Sequence, residues 1–121
     1  ENKEDLIEGL DLSTESREVT NILIDLAQRE TMNQSSIFVD FLIKEFKKNT
    51  KLLQRTHRFA GFAVLKAPDV PSVLIEMGYL SNLKDSGLLT DSRYHNKLVN
   101  NIISSVENYF KWKENTLNQS N

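Results

Sequence analysis

Glu76 closes the short apolar run Val73-Leu74-Ile75 and is followed at once by Met77 and Gly78. A run of this kind reads as a buried strand, so the strand end would deliver one carboxylate to a sheet edge. In open α/β sheets, ligands bind just beyond the carboxyl ends of the strands. A carboxylate standing there can exchange protons with a reacting group. The chemistry alone leaves a second reading open, a Glu that simply leaves the core where its strand ends. The remaining candidates are the two histidines, His57 and His95. Neither stands in a close zinc-ligand spacing such as His-Glu-x-x-His. His95 falls beside Tyr94 in the last helix, exposed or packed at an edge. His57 and Arg58 precede the first strand, either as a substrate-contacting pair or as a loop pair facing water. With no cysteine in the chain, disulfides and thiolate zinc sites are excluded.

The elements that would position these groups alternate in type. Ser13 or Thr14 can cap a helix whose positive end suits Glu15 and Glu18. Val19, Ile22, Leu23, Leu26 and Ala27 then recur at helical spacing as far as Glu30. The polar stretch 31–36 reads as a break, with Ser35 or Ser36 capping a second helix that buries Ile37, Phe38, Phe41, Leu42 and Phe46. Lys44, Lys47 and Lys48 favour its negative end. Residues 59–65 are a strand candidate interrupted by Gly61. Pro68 and Pro71 bound the loop that leads to the second strand, Val73-Leu74-Ile75. From Asp91, a long amphipathic helix carries Tyr94, Leu98, Ile102, Val106 and either Tyr109 or Phe110. Residues 113–121 are polar and read as a frayed tail. Three helices and two strands are α/β material, too few strands for a complete sheet.

The totals narrow the field. A chain of 121 residues holds one domain at most. Its 39% hydrophobic and 26% charged residues suit a packed core rather than disorder. A net charge of −2 argues against general affinity for nucleic acid or an anionic membrane. The opening Glu-Asn-Lys-Glu-Asp is not basic, and no long apolar stretch occurs, so no signal peptide or membrane span is visible in these residues. The chain instead reads as starting within a domain.

The stretch from Phe62 through Ala67-Pro68-Asp69-Val70-Pro71 to Glu76, followed by Gly78-Tyr79-Leu80-Ser81-Asn82, resembles the zinc-dependent N-acetylmuramoyl-L-alanine amidases. Met77 and Tyr79 depart mildly from the small or aliphatic residue and the Phe usual in similar enzymes. The resemblance covers nearly the whole chain and matches the later part of the amidase domain. It implies a mixed sheet with helices on both faces, of which residues 1–121 form the C-terminal portion. It also implies hydrolysis of the amide joining muramic acid to the L-alanine of the peptidoglycan stem, in the periplasm, during wall remodelling and daughter-cell separation. Glu76 would be the catalytic carboxylate. The zinc would be held by two His and one Glu, all preceding the residues present, so the isolated chain would carry the acid without the metal.

Ile22-Leu23-Ile24-Asp25-Leu26-Ala27-Gln28-Arg29-Glu30-Thr31 looks like the segment inserted in the cell-division amidases of Gram-negative bacteria. By that resemblance the stretch 17–31 is a regulatory helix that covers the zinc cleft until an activator protein displaces it. A carboxylate at the helix end could occupy the coordination position that water needs. Glu30 is the first choice, with Glu18 and Asp25 as rivals, and solvated acids on an ordinary amphipathic helix are the plain alternative. A reading from another class also stands: a non-catalytic module that binds a partner through its helical stripe.

Overall fold

The computed structural model describes residues 17–52, 57 and 67–120. Three helices occur among them: α1 (Arg17–Phe46), α2 (Leu83–Leu89) and α3 (Ser92–Gln119). The chain divides into two compact units, one of Glu1–Ser36 with Phe59–Leu74 and one of Ile37–Arg58 with Ile75–Asn121.

The expected α/β mixed sheet does not occur among the described residues. There is no strand among them, and Val73-Leu74-Ile75 carries no regular structure. Its would-be partner, 59–65, lies outside the described residues. A strand exists through the hydrogen bonds it makes to a neighbour, whereas an apolar run reports only a tendency to be buried. Even that tendency is met unevenly, since Leu74 is exposed while Val73 and Ile75 are half-buried.

Nor does the helix break at residues 31–36, because α1 runs through them without interruption. In the first unit the hydroxyls in that stretch hold the Pro68–Ser72 segment instead of ending the helix. The Thr31 Oγ1 hydroxyl donates to the Pro68 carbonyl at 2.8 Å. Ser35 Oγ donates to the Thr31 carbonyl at 3.0 Å and accepts from the Ser72 N–H at 2.9 Å. Ser and Thr disfavour helix interiors because their side chains compete for backbone partners. Here that competition is resolved in favour of the loop, and the helix survives. In this half of α1 the residue taken out of water is Ile24, while Val19, Ile22, Leu23 and Leu26 are exposed.

The second unit is built on the seam between the later part of α1 and α3. Leu42, Phe46, Leu98 and Tyr109 are its buried apolar side chains. Tyr109 packs against Phe38, Phe41 and Trp112 with ring centroids 5.4, 6.4 and 5.9 Å apart. Of the two aromatics that periodicity left open, Tyr109 is therefore the inner one and Phe110 the outer. The most enclosed position on α3 is polar. Ser105 is fully buried, its hydroxyl donating to the Asn101 carbonyl at 2.6 Å with the Phe41 carbonyl 3.4 Å away. Asn101 and Asn49 exchange amide hydrogen bonds, at 2.8 and 3.4 Å. The buried Glu45 carboxylate takes both oxygens to Lys48 Nζ, at 2.9 and 2.8 Å, and accepts from Asn108 Nδ2 at 3.3 Å. A buried charge needs such partners to offset its lost hydration.

Asp91 caps α3 as its position suggests, accepting the Arg93 N–H at 2.8 Å. The helix then continues to Gln119, so most of the expected tail is helical.

Candidate functional site

Glu76 belongs to the second unit and is exposed, at the head of a turn that leads into α2. The turn is tightly specified. Gly78 has φ +149°, a backbone region that side-chain-bearing residues rarely enter. The Asn82 N–H donates to the Tyr79 carbonyl at 3.1 Å, closing Tyr79-Leu80-Ser81-Asn82. Asn82 then caps α2, its Oδ1 accepting from the N–H groups of Lys84 and Asp85 at 3.0 and 3.2 Å. Asp85 Oδ2 reaches back to accept the Tyr79 N–H at 3.1 Å.

Helix α2 was legible in the sequence but not read from it. An Asn followed three residues later by an acid is a start signal, and Asn82 with Asp85 fits it. In the turn after Glu76 the exposed side chains are apolar: Met77, Tyr79, Leu80 and Leu83. A carboxylate at such a place can reach a bound group from solvent, and the adjoining apolar side chains can cover it.

Glu30, in the first unit, is exposed and accepts a hydrogen bond from Gln34 Nε2 at 2.7 Å. Glu18 and Asp25 are exposed on the same helix. His95 is exposed on α3, its Nε2 bonded to the Leu89 carbonyl, so that nitrogen is engaged. His57 is half-buried, and Arg58 lies outside the described residues.

Among the described residues no group of three or more His, Cys, Asp or Glu could hold a metal ion. The donor set needed for zinc, three or four such side chains about one centre, is therefore not assembled by them. The groove at the α1–α3 seam, about 480 Å³, is lined by Phe41, Lys44, Asn108 and Trp112 among others. Glu76 is not part of its wall, and the seam is a packing feature of the second unit rather than the candidate site. No helix among the described residues is long and apolar enough to cross a membrane.

Comparison with known proteins supplies the family. The family model described as N-acetylmuramoyl-L-alanine amidase matches residues 5–108. The chain is 32% identical over 115 residues to N-acetylmuramoyl-L-alanine amidase AmiA of Escherichia coli K12, covering 95% of this chain and 40% of that protein. It is 31% identical over 115 residues to AmiA of Salmonella typhimurium, with the same coverage. With AmiC of Escherichia coli O6:H1 it shares 33% identity over 110 residues, 91% of this chain and 26% of the relative. The chain thus spans two fifths or less of the length of these relatives. No solved structure matches it. A family match over residues 5–108, with the Glu76-to-Asn82 segment inside it, means that this chain belongs to the N-acetylmuramoyl-L-alanine amidase family.

Proposed function

We propose that the chain is the C-terminal part of the catalytic domain of an enzyme that hydrolyses the amide between N-acetylmuramic acid and L-alanine in peptidoglycan. The observation that carries this reading is the Glu76 turn: an exposed carboxylate on a constrained backbone, inside the segment matched by the amidase family. In the reaction, water adds to the amide carbonyl and the C–N bond breaks. Glu76 takes a proton from that water and returns it to the departing amine of L-alanine. The zinc that the resemblance implies finds no ligand set among the described residues, so the complete enzyme must hold it through others. The setting is the periplasm, in wall remodelling and the separation of daughter cells.

Glu76→Gln in the complete enzyme tests the assignment. The amide keeps the size of the carboxylate but cannot carry the proton, and such steps contribute about 10²–10⁴-fold. Release of dye from labelled sacculi should fall by that factor while zinc content and melting temperature stay unchanged. A folded variant retaining about half the activity would make Glu76 a structural residue.

The stretch 17–31 is the regulatory part of this proposal, displaced by an activator protein. Its support is the exposed apolar row Val19, Ile22, Leu23 and Leu26 on one side of α1, a surface suited to reversible docking. Replacing these residues by polar ones, or Glu30 by Ala, should raise basal activity in the complete enzyme. If Glu30→Ala, Glu18→Ala and Asp25→Ala all leave it unchanged, none of these acids blocks the site. The same row is what a non-catalytic binding module would present, and a complete protein inactive on sacculi with zinc and activator would favour that reading.

A further inference from the structure

We propose that Asp85 is the positioning residue for Glu76: its carboxylate ties the turn behind Glu76 to the first turn of α2. The inference rests on the reading of Glu76 as the proton-transfer group. Among the described residues, no hydrogen bond or ion pair holds the Glu76 carboxylate itself, and the side chain is exposed. Where it stands is therefore set by its backbone. In that backbone the Tyr79 carbonyl is held by the Asn82 N–H, and the Tyr79 N–H by Asp85.

Three contacts make the tie. Asp85 Oδ2 accepts the Tyr79 N–H at 3.1 Å. The same side chain lies against Gly78 so closely that a Cβ there would meet Asp85 Cβ at 3.3 Å and Asp85 Cγ and Oδ2 at 3.4 Å. Asp85 is itself held in place, because Asn82 Oδ1 accepts the Asp85 N–H at 3.2 Å. In an ordinary capping box, the acid three residues into the helix returns to the N–H of the capping residue. Here the N–H of Asn82 is already given to the Tyr79 carbonyl. The carboxylate of Asp85 passes over it to Tyr79, and a helix-capping device is turned into a brace for the loop that carries Glu76. A charged acceptor makes the stronger kind of hydrogen bond, and misplacing a reacting group by about 1 Å can cost about 10²-fold in rate.

The test compares Asp85→Ala, Asp85→Asn, Glu76→Gln and the double variant Glu76→Gln/Asp85→Ala in the complete enzyme, by kcat and KM on labelled peptidoglycan with melting curves alongside. Asp85→Ala should lower kcat about tenfold or more with KM within about twofold of the unmodified enzyme. Asp85→Asn keeps an acceptor oxygen and should recover kcat to within about threefold. In the Glu76→Gln background, Asp85→Ala should cost nothing further, because a brace matters only while the group it holds is working. If Asp85→Ala does not melt cooperatively, Asp85→Ser replaces it, its short hydroxyl falling short of Tyr79. Unchanged kcat in a folded Ala or Ser variant overturns the proposal, as does a loss that Asn leaves unrepaired or one that persists in the Glu76→Gln background. An active Glu76→Gln would overturn the functional reading itself. An inactive Glu76→Gln beside an unaffected Asp85→Ala refutes the brace alone.

Discussion

Tyr109 and Phe110 are neighbours on α3 with opposite burial, and truncating each measures what the helix seam is worth. Tyr109 is 6% exposed and touches the rings of Phe38, Phe41, Phe110 and Trp112, while Phe110 is 54% exposed. An aromatic side chain buries about 150–250 Å² when enclosed. At about 25 cal/mol per Å², Tyr109 accounts for roughly 4–6 kcal/mol, and allowing for the methyl that alanine retains leaves about 3–5 kcal/mol. That matches the usual cost of about 3–5 kcal/mol for removing a large core aromatic. Phe110 buries about half as much, and alanine returns some helix propensity, so its loss should be about 1–2 kcal/mol. Urea unfolding of the chain should show Tyr109→Ala shifting the midpoint at least about twice as far as Phe110→Ala, with the slope unchanged. Equal shifts for the two variants would refute the placement of the core along the 98–101–105–109 line of α3.

Three further outcomes are expected. Gly78→Ala should destabilise by about 1–3 kcal/mol, the usual range for a forced backbone conformation, because the new Cβ meets both a positive φ and the Asp85 side chain; a melting temperature equal to that of the parent would refute it. The Arg93 backbone N–H holds the Asp91 carboxyl below its ordinary value, helped by the Arg93 charge. A depressed folded-state value means that the cap contributes fully above about pH 4, the unfolded aspartate range, and is lost as pH falls through the lower folded value. Amide exchange at the start of α3 should accelerate over that window in the parent but stay flat in Asp91→Asn. The isolated chain with added zinc should release no dye from sacculi above buffer, and metal-dependent release would show that its own residues assemble the site.

The helices were legible where one face carried large apolar side chains. Phe41, Leu42 and Phe46 on α1, and Leu98 with Tyr109 on α3, stand at or near the seam as their spacing predicts. Asn101 and Ser105 were missed because hydropathy favours Ile102 and Val106, one step around the helix. Close approach of two backbones needs small or mutually bonded side chains at the centre of contact, which hydropathy does not score. The break at 31–36 failed for a related reason: the hydroxyls of Thr31 and Ser35 found partners in a loop 37 residues away in sequence, a fact no local window contains. The sheet failed because pairing is a property of two segments. Glu76 was picked out by residue type and by family resemblance, but Asp85, which braces its turn, carried no chemical signature beyond its distance from Asn82.

The Asn49–Asn101 pair has a consequence for how the chain finds a single structure. Two apolar helical rows can slide past each other by one turn, about 5.4 Å, and lose little, since one aliphatic or aromatic side chain substitutes for another along the row. The two amides admit no such exchange. Their mutual bonds, at 2.8 and 3.4 Å, form at one alignment, and a slip of one turn would break both, at a cost of about 1–3 kcal/mol for a buried polar group left unpaired. The pair works like the notch on a key: it adds little grip, but it decides the one depth at which the rest engages.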